Sequence, residues 1–367
     1  MGKHNANWEN WEVVRSFLPP GWEEQARLSG ALQRTRGVDG AEPLLRILLL
    51  HLAAGCSLAE TAVRARVAGL GQLSGVAVFK RLRAAGPWLR WLAQQVRGNV
   101  ELPLASIDRR VRAVDATSVS EPGSTGSDWR IHYALNLANL QCDFFELTEI
   151  HHSGETFRRV PVTRGDIVLG DRVYAAPPGV AHVLCSQADV VVRWNRQSLP
   201  LFTAQGRSLA ALSWLRRSGP RKPRQRQAQV KNPQGGWLSG RLIAVRRSEQ
   251  ATQLDRKKML QRAKRSGLKV SPESWEMAEY FTIWSSLPAH FSATETLNLY
   301  RLRWQIELVF KRMKSILGLG HLPKKDPASA QAWLEGKLFV GLLIERLIDE
   351  ARSISPWGYG LSPQPVA

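Results

Sequence analysis

The side chains best placed to do chemistry together lie in one stretch near the C-terminal end, YRLRWQIELVFKRMK, which holds Tyr300, Arg303, Glu307, Lys311 and Lys314. Leu299, Leu302, Ile306, Val309, Met313 and Ile316 recur at helical spacing there. The pattern predicts one continuous helix within 293–317. On such a helix Tyr300, Arg303, Glu307 and Lys314 fall within roughly 60° of one another, with Lys311 close by. A phenol, a guanidinium, a carboxylate and ammonium groups on one narrow face suit an anionic ligand, with the carboxylate holding a cation against it. A solvated face with an Arg303–Glu307 pair at i,i+4 is the plainer alternative. Two aspartates upstream bear on the choice: Asp115 in VRAVDATS and Asp171 in VLGDRV. Each closes an apolar run that reads as a strand, 110–115 and 166–170. Three carboxylates suit a hard cation such as Mg²⁺, whereas zinc favours imidazole and thiolate. Two such ions roughly 3.5–4 Å apart serve phosphodiester cleavage, acting on both the attacking and the leaving oxygen. Arg303, Lys311 and Lys314 are then phosphate ligands, Arg by a fork and Lys as a point charge. Tyr300 either hydrogen-bonds a phosphate or packs half-buried. Arg172 either contacts phosphate or pairs with an acid. His132, His151 and His152 read as structural or surface residues.

These groups need elements to hold them. After the strand at 110–115 come a Gly/Ser-rich turn at 121–127 and two more strands at 129–137 and 142–150, as in a meander. A short connection at 155–162 leads to the strand at 166–170. A helix at 178–188, opened by proline, and an apolar strand at 189–194 follow. This α/β order is that of a ribonuclease-H-like fold, in which the first and fourth strands are neighbours and their aspartates meet at one sheet edge. A strand at 280–285 returns before the helix at 293–317, and a last helix or helix pair covers 328–352. Residues 1–104 read as helical. They include a helix at 42–55, one at 57–67 opened by the capping box SLAE, a turn at 69–74, and a helix at 75–85 carrying Lys80, Arg81 and Arg83. That order fits a helix-turn-helix or an ordinary helical subdomain. The tail, 353–367, is rich in Pro, Gly and Ser and reads as loose.

The 367 residues carry a formal net charge of +20, and the excess is local: 193–269 hold 20 Lys and Arg against 2 Asp and Glu. A basic insert of this kind points to nucleic acid or another polyanion. Within it, 220–226 reads as a charged loop, 235–247 as a hairpin pair and 252–266 as a basic helix. The 3 cysteines lack metal-ligand spacing, which points to a reducing, cytoplasmic setting. No signal segment opens the chain, and no apolar run is long enough to span a membrane.

The spacing Y-x2-R-x3-E-x6-K, joined to two strand-end aspartates with Arg172 directly after the second, resembles the DDE transposases of bacterial insertion sequences, in the subgroup named for those four letters. The resemblance covers about 105–320. It implies an α/β, ribonuclease-H-like catalytic domain in two parts, 105–195 and 276–352. A basic, β-rich insertion at 196–275 separates them, and a helical DNA-binding domain at 1–104 precedes them. It implies that Asp115, Asp171 and Glu307 are catalytic and hold two Mg²⁺ ions, with Mn²⁺ as a substitute. Tyr300, Arg303, Lys311, Lys314 and Arg172 would hold double-stranded DNA, at the transposon ends or the target. Water would first free a 3′-OH, which would then attack target DNA. A hairpin intermediate, a synaptic homodimer and work on the bacterial nucleoid are also implied. Tyr280 stands where related transposases carry a base-stacking Trp, and Trp304, beside Arg303, is a second stacking candidate or a core residue. A nuclease of the same fold without strand transfer and an inactive DNA-binding relative are the alternatives. A glycosidase fits the basic insert poorly.

Overall fold

The computed structural model describes residues 11–97, 104–120, 129–150, 154–217, 222–320, 322–323 and 326–354. The expected turn at 121–127, His151, His152 and nearly all of the expected tail lie outside them. Six helices come first: α1 (Trp11–Ser16), α2 (Trp22–Leu28), α3 (Ala41–Leu52), α4 (Leu58–Val67), α5 (Gly75–Ala84) and α6 (Gly86–Val96). Strands β1 (Val111–Val119), β2 (Trp129–Asn136), β3 (Gln141–Glu149) and β4 (Ile167–Gly170) follow, then α7 (Pro177–Cys185) and β5 (Asp189–Arg193). The basic region supplies α8 (Ala211–Arg216), β6 (Arg224–Gln227), β7 (Val230–Lys231), β8 (Trp237–Leu238), β9 (Arg241–Arg246), α9 (Glu249–Ser266) and α10 (Pro272–Met277). The chain closes with β10 (Tyr280–Ser285), α11 (Ala293–Arg301), α12 (Trp304–Ser315) and α13 (Pro327–Ile354).

One mixed, 8-stranded sheet runs β3-β2-β1-β4-β5-β10-β9-β6. The neighbours β1, β4 and β5 are parallel; β2 and β3 form the antiparallel meander. This mixed α/β sheet is consistent with the ribonuclease-H-like order expected of the sequence. Side chains alternate faces along each strand. Val111, Ala113, Ile167, Leu169 and Val191 join the apolar cluster of α1–α6 and α11–α13, while Val114, Val168, Val190 and Val192 join the cluster of α7 and the segments around it. The N-terminal helices therefore share a core with the sheet and with α13. Arg81 donates to the carbonyls of Arg34 and Arg36, and Arg83 pairs with Asp326 at 3.5 Å. Of the three basic residues expected to present themselves on α5, only Lys80 has no partner of this kind and is exposed.

Several expectations are corrected. β1 does not end at Asp115 but runs on to Val119, because Ala116–Val119 keep pairing with β2. The basic region does not form a hairpin at 235–247: β8 pairs with β7, and β9 is clasped between β10 and β6. Arg224–Gln227, expected in a loop, is the strand β6 at the sheet's margin. The single helix expected over 293–317 is two. At Leu302–Ile306 the hydrogen bonds run from i to i−3, as in Arg303 N–H to Tyr300 C=O at 3.1 Å and Ile306 N–H to Arg303 C=O at 3.2 Å. A 3₁₀ turn advances 120° per residue instead of 100°. It therefore rotates α12 against α11, while the Arg303 guanidinium still lies 5.9 Å from the Tyr300 ring and reaches Glu307.

Candidate active site

The register of two parallel strands brings the aspartates together. β1 and β4 pair Val111 with Ile167, Arg112 with Val168 and Ala113 with Leu169. Continued by two residues, the same register sets Asp115 beside Asp171, on strands about 4.8 Å apart. Asp115 lies two residues beyond Ala113 and so faces the α12 side. Its Oδ1 accepts the Ala116 N–H at 2.8 Å. Burial pushes its pKa up to about 7; the Ala116 bond opposes the rise and the neighbouring Asp171 adds to it. Asp171 Oδ1 accepts the Val173 N–H at 2.8 Å, an Asx turn that leads the chain out of β4.

Gly170 sets the approach to Asp171. A Cβ there would lie 2.4 Å from Phe157 and 2.9 Å from Tyr174 Cβ. Only glycine lets β4 end against those rings, which themselves pack at 4.9 Å. The Tyr300 hydroxyl donates to the Gly170 carbonyl at 3.1 Å, and its ring packs on Phe281 at 5.8 Å. Burial pushes the phenol up to about 12. Tyr300 is thus a buried strut that fixes α11 to the end of β4, and its hydroxyl is engaged by the backbone instead of facing a ligand.

Arg303 stands at the start of α12 between two carboxylates. Its Nη1 meets Asp115 Oδ2 at 3.3 Å, and its Nη2 donates to Glu307 Oε1. Burial would lower its pKa, but Tyr300, Glu307 and Asp115 together hold it above its usual value. Lys311 and Lys314 are exposed farther along the same helix. Arg172 is exposed and opens onto a cleft shared with Arg262 and Lys269 of the basic region. The two aromatic candidates part company. Trp304 is 57% exposed, so it is not a core residue. Tyr280 is only 5% exposed, clustered with Leu215 and Ala244, and its ring is committed to packing. His132 is buried between strands and meets Thr148 Oγ1 at 2.9 Å, a structural placement.

Two neighbours of the site were not singled out in the sequence. Glu155 pairs with Arg130 at 3.4 Å; burial raises its pKa, and the charge of Asp171 adds to the rise. It sits in an irregular connection, where no periodicity marks it. Arg193 ends β5, the strand next to β4. Burial and the charges of Arg172 and Arg247 lower its pKa to about 10, and its guanidinium lies 4.2 Å from the Phe281 ring. A lone Arg closing the run DVVV was the available signal.

The donor set of Asp115, Asp171 and Glu307 is all carboxylate oxygen and fits Mg²⁺. Among the described residues, no three His, Cys, Asp or Glu side chains are grouped as a metal site; the Arg303 guanidinium contacts both Asp115 and Glu307. Among the described residues no helix is long and apolar enough to cross a membrane.

Comparison with known proteins agrees with this geometry. A family model described as a transposase DDE domain matches residues 106–343. The chain is 32% identical over 365 residues to the putative transposase InsL for insertion sequence element IS186A of Escherichia coli K12, covering 97% of this chain and 98% of the relative. It is also 32% identical over 366 residues to the transposase for insertion sequence element IS421 of Escherichia coli, again covering 97% and 98%. A match of that breadth, taking in both aspartates and Glu307, shows that the chain belongs to the DDE transposases of bacterial insertion sequences and is an enzyme of that type.

Proposed function

We propose that the protein binds transposon-end DNA, cleaves phosphodiester bonds by two-metal hydrolysis, and joins the freed 3′-OH ends to target DNA. What supports this reading is the parallel register of β1 and β4, which continued by two residues brings Asp115 beside Asp171, together with the Arg303 contacts that join Asp115 to Glu307 in the first turn of α12. Asp115, Asp171 and Glu307 would hold the metal. Mg²⁺, or Mn²⁺ in its place, supplies activation of the attacking hydroxyl and stabilisation of the leaving oxygen. Arg303 offers a fork to a phosphate, and Lys311, Lys314 and Arg172 offer point charges or a fork along the approach. Tyr300 keeps the end of β4 in place. We assign residues 1–104 to a helical DNA-binding part, 105–195 and 276–352 to the ribonuclease-H-like catalytic part and 196–275 to a basic insertion, and place the protein in a synaptic homodimer. The subgroup defined by Tyr300, Arg303, Glu307 and Lys314 also forms a DNA hairpin during excision. Supercoiled DNA carrying the inverted repeats that flank the coding region, incubated with protein and MgCl₂, should yield an excised fragment and joined products. Cleavage without joining would leave a nuclease; no cleavage with Mg²⁺ or Mn²⁺ would overturn the reading.

The basic region has a specific share in binding. Arg216 is tied to Glu276, and Arg256 to Glu279, so these are poor phosphate ligands. Lys257, Lys258, Arg262, Lys264 and Arg265 are mainly exposed along α9. Each phosphate contact contributes a slope of about −0.9 in log K against log salt. Replacing these five by Gln should flatten the slope by about 0.9 for every contact removed. An unchanged slope in a salt titration would mean that α9 faces solvent in the complex.

Trp304, not Tyr280, offers an open ring beside the site. An extruded base stacked on it gains roughly 1–3 kcal/mol. Trp304→Ala should therefore slow hairpin formation or joining more than first-strand nicking, by about tenfold, with the fold intact. Equal slowing of every step, measured on end-labelled DNA, would assign the indole no such role.

A further inference from the structure

We propose that Arg303 is the resident counter-ion of the active site. In DNA-free protein its guanidinium holds Asp115 and Glu307 in the place of a divalent ion, and its transfer to a DNA phosphate is what opens the carboxylates to metal. This rests on the reading of these carboxylates as metal-holding. The observations are geometric. Arg303 reaches Asp115 Oδ2 on β1 at 3.3 Å and Glu307 Oε1 on its own helix at the same time. The Glu307 contact alone would be an ordinary i,i+4 pair of little worth. The Asp115 contact is different, because it crosses from the helix to the sheet and is largely shielded, with side chains 14% and 16% exposed. Of the other charges acting on Asp115, Asp171 and Glu155 are negative, and Arg193, which acts on Tyr300, is not among them.

Arginine cannot give up its proton and has no acceptor for a metal. Guanidinium and divalent ion therefore exclude each other at the same oxygens. Arg303 is also the residue that precedes α12, inside the 3₁₀ turn, so its long side chain can swing toward solvent without unwinding the helix. A DNA phosphate is a strong competitor for it, since Arg–phosphate pairs are bidentate and charge-assisted. Phosphate binding and metal binding are then linked. By reciprocity each strengthens the other by the same factor, and free protein holds metal weakly until DNA is seated.

The test measures Mn²⁺ binding to the full chain by electron paramagnetic resonance, with and without an end-sequence duplex. Wild-type protein should bind Mn²⁺ weakly alone and about tenfold more tightly with the duplex. Arg303→Met should bind Mn²⁺ about tenfold more tightly than wild type in the absence of DNA, and the duplex should add little. Equal or weaker Mn²⁺ binding by folded Arg303→Met overturns the proposal; Arg303→Gln serves the same comparison if the Met variant does not fold. Asp115→Asn separates the two readings. It should abolish Mn²⁺ binding in both backgrounds, and if Mn²⁺ binding persists, the assignment of the metal ligands fails and not merely the role of Arg303.

Discussion

Asp115→Ala, Asp171→Ala and Glu307→Ala should each lose at least about a thousandfold in DNA cleavage while binding end DNA within a few-fold of wild type. Metal ions contribute several kcal/mol of transition-state stabilisation to phosphoryl chemistry, and each 1.36 kcal/mol is a factor of about ten in rate. Affinity is spared because protein–DNA contacts to the backbone come chiefly from Arg, Lys and N–H groups. The three variants differ in their risk to the fold. Glu307 is 38% exposed on its side chain, and its partner Arg303 keeps Asp115 when it is removed. Asp115 is more enclosed and is held by the next residue's N–H, so its Asn variant belongs beside the Ala variant. Single-turnover cleavage with a parallel gel-shift titration checks the result. Full Mg²⁺-dependent cleavage by any one variant would remove that residue from the site.

The second large effect concerns stability at the opposite end of the strands. Arg112 and Asp143 are 2% and 1% exposed on their side chains. They form a two-pronged pair, Nε to Oδ2 at 2.7 Å and Nη2 to Oδ1 at 2.6 Å, bridging β1 to β3. Asp166 joins it at 3.5 Å and is itself bound by Arg110. Burial raises the Asp143 pKa, and the charge and hydrogen bonds of Arg112 oppose the rise. Asp143→Ala should destabilise the protein by about 3–5 kcal/mol, because it strands a buried guanidinium. Replacing both partners by apolar residues, Arg112→Met with Asp143→Leu, should recover most of the loss. Urea unfolding of the three proteins checks both statements. A loss below about 1 kcal/mol for Asp143→Ala would mean that Asp166 and the Pro161 carbonyl suffice to hold Arg112.

Much of this site was legible in the sequence because its aspartates follow apolar strands. The run IVLG before Asp171 reads as a strand buried on both faces, and it is β4, which the structure pairs in parallel with β1. What escaped depended on packing. Nothing in YRLRWQIE breaks a helix, with no Gly or Pro among those residues. The 3₁₀ turn there coincides with the Tyr300 contact to Gly170 on one side and the Glu307 contact to Arg303 on the other. Tyr280 is singled out because it stands where related transposases carry a base-stacking Trp, yet it packs with the neighbouring Leu215 and Ala244. The continuation of β1 past Asp115 was hidden because Asp, Ala and Ser are weak strand formers, and only the partner strand β2 holds ATSV extended. Glu155 had no pattern to betray it.

That continuation has a consequence for how firmly each catalytic group is held. Asp115 belongs to a central strand paired on one side throughout and on the other up to Ala113. Such strands open only near the free energy of global unfolding. Glu307 sits in the first turn of a helix whose leading residues are half-exposed and whose entry is a 3₁₀ turn with no side-chain cap. That entry gives the first turn less backbone support than a central strand has, while Ile306, Val309 and Phe310 anchor the helix in the core. The three carboxylates proposed to hold metal are therefore supported unequally, Asp115 within the sheet, Asp171 in the turn just past β4 and Glu307 in the uncapped first turn of α12.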